Sequence, residues 1–503
     1  MTDRFLFWLN LDMLEYGLAH SLQKKINAEY YAISDAHESL KKFFQKQNIV
    51  NFKNIWYYRD YTKNNFTEPD MTYLKNFEKK YNISIWKLAY SEILFFDKIR
   101  YHKFSNKEIL STIEKECKFF ESVLEEIKPN YVFVNYFSGH HTFLFCQMCK
   151  SLGIKILMHA VTRTGYRVAI TSHVDALEYF DEPFPKSSTS NRSVDELQEW
   201  FQKFNLKKSV VENQSRYTER VTSFQKVTAM IKYLRIITSD DFKNFYGNSD
   251  ITVFNILKRK ISLKFKKWKH NRYLKTNFYY TPDLNQKYVY YPLQIEPERA
   301  ISFGAPFQPN QLELIMLIAK SLPIDFKFYV KEHPLISWQD GRDFSFYKKI
   351  INLPNVYFLP STIDSEKLIK NSSLVVTING TSALEAAFFG IPSLVFGKTG
   401  WSSLPSIESV ENLEDLPEII HRSLEKHPDI KDLNLFVDYM ETNSFEMDYR
   451  LLESNFFSSL YYGGYFGHDE ISVNQVQKML NENQKLLEII TNEHIKKLSK
   501  FTK

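Results

Sequence analysis

Two stretches of this sequence place chemically useful side chains where apolar runs stop. The run Phe326–Lys331 ends in Glu332-His333-Pro334, and the run Leu374–Ile378 ends in Asn379-Gly380-Thr381-Ser382. An imidazole at His333 can donate to a phosphate oxygen, and Pro334 fixes the backbone after it. Lys331 would add positive charge, although side-chain alternation aims it at the opposite face from Glu332. The hydroxyls of Thr381 and Ser382 and the nearby N–H groups offer uncharged donors. Glycine is scarce, 14 in 503 residues, against an ordinary usage of about 7%. Four of the fourteen, Gly380, Gly390, Gly397 and Gly400, fall within 21 positions. Glycine goes where backbone turns sharply or approaches something closely. The spacing Ser382-x-x-Glu385 predicts a capping box opening a short helix that Gly390 closes, with Ser393–Phe396 the next strand. A strand, a glycine turn and a hydroxyl-capped helix start make an anion site, because free N–H groups and the helix dipole point at the turn. Glu385, one turn in, either accepts ribose hydroxyls or only caps Ser382. Gln294 closes the run Tyr288–Leu293 and can converge with these residues on one ligand.

A second set follows the buried run Tyr131–Asn135, where Tyr136-Phe137-Ser138-Gly139 leads into His140-His141. Adjacent histidines point in different directions, so one of them at most is expected to act. The segment after the next run carries His159, Arg163 and Arg167, and arginine there suits a carboxylate or phosphate. Asp12 and Glu15 follow the first run and Asp35 the second. The base of a transfer reaction is open among Asp12, Glu15, Asp35 and His140. His141, Arg163 and Arg167 are the candidates in this part for binding a carboxylate or phosphate of a ligand.

Alternating elements must position these residues. In the first part, strands are expected at Phe5–Leu9, Tyr30–Ser34, Tyr131–Asn135 and Ile154–His159. Helices are expected at Met13–Ile26, from Glu38, at Ile109–Ile127 and from Thr142, the last ended by Gly153. That order predicts parallel βαβ units in a doubly wound sheet. Residues 50–105, rich in Tyr, Asn and Lys, read as an insertion. A second alternating block starts at Tyr288. Its strands are Tyr288–Leu293, Phe326–Lys331, Val356–Leu359, Leu374–Ile378 and Ser393–Phe396. Its helices are Gln311–Ser321, Phe346–Ile351, one from Ser365, and Leu416–Lys426. The resulting division is 1–184 as an N-terminal Rossmann-like acceptor domain, 185–285 as a helical basic linker, 286–430 as a C-terminal Rossmann-like domain and 431–503 as a helical tail. In that tail, after Gly463-Gly464, Val473–Leu498 reads as one long amphipathic helix. It either crosses back onto the first domain or supports self-association.

Composition bounds the rest. With 44% hydrophobic and 25% charged residues the chain is globular with ample core. A net charge of +6 is too mild to point to nucleic acid, but it suits anionic substrates or an anionic membrane face. The positive charge is concentrated between Lys258 and Lys275, which hold nine Lys or Arg residues, with Leu257, Ile261, Phe265 and Trp268 at helical spacing beside them. Such a helix either lies on anionic lipid or packs its stripe on its own domain. Cys146 and Cys149 form a CxxC inside a helix, without a second pair. All three cysteines therefore read as reduced and structural. The N-terminus reads as a strand without a signal-peptide core, and no run of about 18 apolar residues is present. Cytoplasmic residence is expected.

Some signatures are missing. No GxxxxGK[ST] is present, and no GxGxxG follows the first strand, so a P-loop enzyme and nicotinamide binding are disfavoured. No Asp-x-Asp closes a strand, so no metal cofactor is expected. A leaving phosphate would then be stabilised by helix dipole, histidine and lysine.

At this point the chain resembles a known family. Tyr291-Pro292-Leu293-Gln294 with Glu296-Pro297-Glu298, then Lys331-Glu332-His333-Pro334, then Thr381-Ser382-Ala383-Leu384-Glu385-Ala386 with Gly390-Ile391-Pro392, follow the order and rough spacing of the capsule polysaccharide biosynthesis family. That family includes bacterial capsule Kdo transferases and is similar in its His-Pro motif to bacterial sialyl- and polysialyltransferases. The match runs over about 285–400, is thinner over 130–170, where Arg163–Arg167 looks like the first-domain motif, and is absent for 50–105 and 185–280. The resemblance implies an α/β GT-B glycosyltransferase of two Rossmann-like doubly wound domains. It implies that His333 and the Thr381-Ser382 pair contact the donor nucleotide, which is CMP in characterised relatives.

The expected activity is metal-independent transfer of a sugar, Kdo or a sialic-acid-like sugar from a CMP donor, onto a surface or capsular polysaccharide or a lipid-linked acceptor. The nucleotide-sugar contacts would be Gln294, Lys331, His333, Asn379, Gly380, Thr381, Ser382 and Glu385. Under the same resemblance, the ligand held by His141, Arg163 and Arg167 would be an acceptor or its sugar. Two alternatives remain: a nucleotide-sugar epimerase on the same fold, and a non-catalytic polysaccharide-assembly subunit.

Overall fold

The computed structural model describes residues 2–36, 38–63, 65–96, 102–136, 139–162, 164, 166–173, 181–188, 190–203, 227, 231, 233–235, 237–245, 250–296, 303–305, 307, 310–338, 342–461 and 470–501. The chain forms two units. The first holds residues 1–174, 204–256 and 444–503, and the second holds 175–203 and 257–443.

The sheet of the first unit has seven strands: β1 (Arg4–Leu9), β2 (Glu29–Ser34), β3 (Phe52–Tyr57), β4 (Tyr131–Val134), β5 (Lys155–Val161), β6 (Arg167–Thr171) and β13 (Phe445–Glu446). Their order is β13-β6-β5-β4-β1-β2-β3. From β5 to β3 all pairings are parallel, while β6 runs antiparallel to both β5 and β13. Phe5–Leu9 of β1 and all of β4 are apolar and buried, as strands covered on both faces must be. The helix Leu14–Gln23 covers one face and meets Tyr449–Leu460 and Gln484–Phe501 so closely that a Cβ at Gly17 would stand 3.0 Å from both Phe456 and Leu487. Phe456, Leu487 and Ile490 share one core cluster with Phe5, Phe7 and Leu18.

The sheet of the second unit has six strands, all parallel: β7 (Tyr288–Pro292), β8 (Lys327–Lys331), β9 (Val356–Leu359), β10 (Leu374–Thr377), β11 (Ser393–Val395) and β12 (Ile407–Ser409). The order β12-β11-β10-β7-β8-β9 winds in one direction from β7 to β9 and in the other from β10 to β12. In such sheets the ligand crevice lies where the winding reverses, beyond the carboxyl ends of the two central strands. Here those strands are β7 and β10. In the first unit they are β1 and β4. The expected α/β class, two Rossmann-like doubly wound units, is the fold the chain adopts.

Some elements differ from expectation. Part of the supposed insertion 50–105 is β3, an edge strand whose Lys53 and Asn54 are exposed, which hides its period in the sequence. The last helix is two helices, Val473–Glu482 and Gln484–Phe501, parted at Asn483, whose side chain donates to Met479 O and accepts from Asn455. Residues 444–503, which the sequence reading set apart with 431–443 as a tail, lie in the first unit. Gly463 and Gly464 lie outside the described residues. The basic segment forms one helix, Val253–Asn277. It buries Ile256, His270 and Leu274, and His270 stacks on Phe344. Its stripe does not pack inward: Leu257, Ile261, Phe265 and Trp268 are 49, 69, 66 and 58% exposed. Among the described residues, no helix is long and apolar enough to cross a membrane.

Candidate functional site

The second unit gathers its candidates at the winding reversal. Gln294 stands two residues past β7 and Asn379 two past β10. Gln294 Nε2 donates to Asn379 Oδ1 at 3.0 Å. Gly380 completes the contact for a steric reason. A Cβ there would lie 2.7 Å from Thr377 Oγ1 and 3.1 Å from Gln294 Nε2. The glycine is thus required by close approach rather than by a left-handed backbone. Gly390 plays the other role: its φ of 73° ends the helix Ser382–Phe388, with Ile391 N–H closing on Ala386 O. Two buried acceptors are left without partners beside Gly380, Gln294 Oε1 and Ser382 Oγ. Native interiors rarely leave such atoms bare, and a ligand is one thing that satisfies them.

The expected capping box is absent. Thr381 holds the N-cap position without a side-chain capping bond, and Ser382 Oγ caps nothing. Glu385 meets the Thr381 hydroxyl at 3.4 Å instead. Neither hydroxyl accepts from a backbone N–H of the first turn, so the expected box forms at neither residue.

His333 follows β8. Leu335 N–H donates to its Nδ1 at 3.1 Å, which leaves the ring proton on Nε2. Burial, then Arg342 and then Lys331 push its pKa down to about 4. The ring is therefore a neutral donor at physiological pH. Lys331 lies on the other side of the strand from Glu332, as alternation required. Its ammonium donates to Ser365 Oγ, and it reaches His333 only through its charge.

Arg342 was not legible as a site residue. It is buried and ties three loops: its guanidinium donates to Gln294 O, Glu296 and Glu332, while Tyr347 OH donates to Glu332 at 3.0 Å. The one signal available was that Glu332, beside His333 and buried, needed a cation.

In the first unit the same crevice position is marked by Asn135 Nδ2 donating to Asp12 Oδ2 at 2.9 Å. Asp12 sits in the β1 turn, where Met13 is held at a φ of 60°, a strained value for a side-chain-bearing residue. Burial raises the Asp12 pKa. Glu15 is buried without a hydrogen bond, and burial and then the Asp12 charge push its pKa well up. Glu453, absent from the sequence reading because nothing set its helix apart from packing helices, is raised to about 7 by burial and then by Asp12. His159 stands between the Tyr449 and His494 rings, and burial lowers its pKa strongly.

Three candidates prove to be committed elsewhere. Asp35 bonds Arg59 at 3.0 Å and lies 3.3 Å from His141; burial alone would raise its pKa, but these partners bring it down to about 2. It is a poor base. His140 is the first residue of its helix, earlier than expected. Both of its ring nitrogens meet carboxylates, Glu92 at 2.6 Å and Glu116 at 2.8 Å. Burial opposes its charge, but the two glutamates win and raise the pKa to about 10. His140 is a buried cation, not a base. Arg167 lies on β6, where its guanidinium donates to Ser444 and Glu446 and pins the antiparallel edge. Arg163 lies outside the described residues.

No curated relative matches the sequence. Among solved structures, the chain is similar to UDP-GlcNAc 2-epimerase from Methanocaldococcus jannaschii, in complex with UDP-GlcNAc and UDP, at 13% identity and a TM-score of 0.26, over 88% of this chain and 99% of that one. It is also similar to KpsC, a beta Kdo 2,7 transferase of Thermosulfurimonas dismutans, at 11% identity and a TM-score of 0.30, over 79% and 97% of the two chains. A third is an alpha,alpha-trehalose-phosphate synthase from Burkholderia vietnamiensis, at 9% identity and a TM-score of 0.30, over 91% and 99%. The model of the family described as "Capsule polysaccharide biosynthesis protein" matches residues 197–437. That span contains β7 to β12 and each of Gln294, His333, Arg342 and Asn379–Glu385. The match to the capsule polysaccharide biosynthesis family thus falls on the segment that carries the second unit's strand ends.

Proposed function

We propose that this protein is a glycosyltransferase that moves a sugar from a nucleotide donor onto a surface or capsular polysaccharide, or onto its lipid-linked precursor. The observation that carries the reading is the pair of bare buried acceptors, Gln294 Oε1 and Ser382 Oγ, set around Gly380 at the winding reversal of the second sheet. A ribose hydroxyl or base amine is a donor that fits them. Glu385 would take a second ribose hydroxyl, and the neutral His333 would donate Nε2–H to the departing phosphate. No step asks for a metal at that phosphate. CMP is the proposed nucleotide and Kdo or a sialic-acid-like sugar the proposed cargo. The first unit would take the acceptor, with Asp12 as the base that draws the acceptor proton. Its raised pKa and its fixing by Asn135 support that role. The helix Val253–Asn277, apolar and basic on its exposed side, would rest on an anionic membrane.

The test is a thermal-shift screen with CMP, CDP, UDP and GDP, followed by turnover with the stabilising nucleotide's sugars with and without acceptor. Stabilisation by CMP and acceptor-dependent release of CMP support the proposal. Turnover of a UDP-sugar without acceptor assigns an epimerase instead. Polymer binding with no nucleotide effect assigns a non-catalytic assembly subunit.

A further inference from the structure

We propose that Glu92, His140 and His141 form a binding site for one divalent transition-metal ion of the zinc type, with a fourth coordination position open. The three ligand atoms lie within 4.8 Å of one another. The atoms we assign to the ion are His140 Nδ1 and Glu92 Oε2, which lie 2.6 Å apart, and the bare His141 Nδ1. Each ring's other nitrogen meets a carboxylate: His140 Nε2 meets Glu116 at 2.8 Å, and His141 Nε2 meets Asp35 at 3.3 Å. That carboxylate–histidine pairing is the outer shell that orients imidazoles on a metal and raises their basicity. Both carboxylates are themselves held, Glu116 by Tyr58 OH at 2.5 Å and Asp35 by Arg59 at 3.0 Å. The His141 ring is fixed by stacking on Tyr58 at 4.9 Å. Its Nδ1 is buried and has no hydrogen-bond partner, so its lone pair is available to a cation. The space is kept by Gly139: a Cβ there would stand 3.1 Å from His141 Nδ1 and 3.3 Å from Glu92 Oε2. The adjacent histidines, expected to diverge, thus bring the same ring atom to one place. Two imidazoles and one carboxylate suit zinc-type ions rather than calcium or magnesium, which prefer oxygen ligands. On binding, the proton that His140 shares with Glu92 leaves to solvent and the ion takes its place, so the ledger of charge and bonds closes. The site lies in the first unit and is independent of the donor reading of the second.

The full chain, stripped with a chelator, is titrated with Zn²⁺ and with Co²⁺ as a spectroscopic stand-in. The expected result is one ion per chain, with ligand-field bands of four-coordinate Co²⁺ that Zn²⁺ abolishes. His141→Ala and Gly139→Ala should each weaken binding by about tenfold or more. Gly139 has a φ of −146°, which alanine adopts without backbone strain, so Gly139→Ala, shown to be folded by its own metal-free melting curve, decides the matter if His141→Ala fails to fold. A wild-type chain that holds no ion at stoichiometric Zn²⁺, or a folded Gly139→Ala protein that binds as wild type does, overturns the proposal.

Discussion

His333 shows how one side chain acquires a single chemical role. Its Nδ1 is occupied by a backbone N–H, and its pKa lies at about 4. It can only donate, and only from Nε2. His333→Ala should therefore cut turnover by about 10²–10³, the usual effect of losing one donor to a developing anion. Melting should stay near wild type, and the remaining pH–rate profile above about pH 5 should keep its shape, since His333 does not titrate there. Near-normal turnover removes the residue from the mechanism. Ser382 gives a contrasting case. Read as a cap, its loss would cost about 1 kcal/mol. It caps nothing, so Ser382→Ala should change stability by less than about 0.5 kcal/mol while raising the donor KM several-fold. A drop in melting with an unchanged KM would reverse that assignment. Gly380→Ala should do both kinds of harm, because its Cβ would strike the Thr377 hydroxyl at 2.7 Å; a loss of about 1–3 kcal/mol is expected in a denaturant titration.

The elements that the sequence disclosed are the ones with local causes. β7, β8 and β10 are apolar runs stopped by turn residues, and the Gly390 terminator acts within its own helix. What stayed hidden depends on partners far away in the chain. The two-residue β13 exists because Phe445 pairs with Val168 of β6 across 277 positions, the same separation that the Arg167–Ser444 bond spans. Arg342 matters through Gln294, Glu296 and Glu332, none of which its neighbours announce. The helix Val253–Asn277 was legible in its charge and apolar spacing, but not in which face it buries. Lys266 and Lys269 lean on Asp343 and Phe344, so they are poor probes of lipid binding. Exposed Lys258, Lys260, Lys264 and Lys267 are better ones. Changing these four to Gln should release the protein from vesicles rich in anionic lipid, at about 1 kcal/mol per charge at low salt. Co-sedimentation equal to wild type would show that the helix is not the anchor.

At the scale of the molecule, acid stability is set in part by histidines that are buried uncharged. His494 is enclosed and its pKa is lowered to about 4 by burial. In the unfolded chain it titrates near 6.5. Between those values the unfolded state binds the proton and the native state does not, so stability contributed by the neutral ring falls as pH drops from about 6.5 to 4. His494→Leu should flatten that part of the curve relative to wild type; parallel curves from denaturant titrations at pH 4.5 and 6.5 would show that the ring titrates normally. His494 lies in the stretch 444–503 that completes the first unit, and this has a consequence for how the chain is made. During synthesis Leu14–Gln23 emerges early, yet the side chains it packs on, Phe456 and Leu487, emerge more than four hundred residues later. At about 5–20 residues per second the first unit waits tens of seconds with its apolar helix uncovered, while residues 257–443 can already close on themselves. The order of folding is thus the reverse of the order of translation. Ribosome-stalled chains ending at 443 should resist protease over the second unit and be cut within the first.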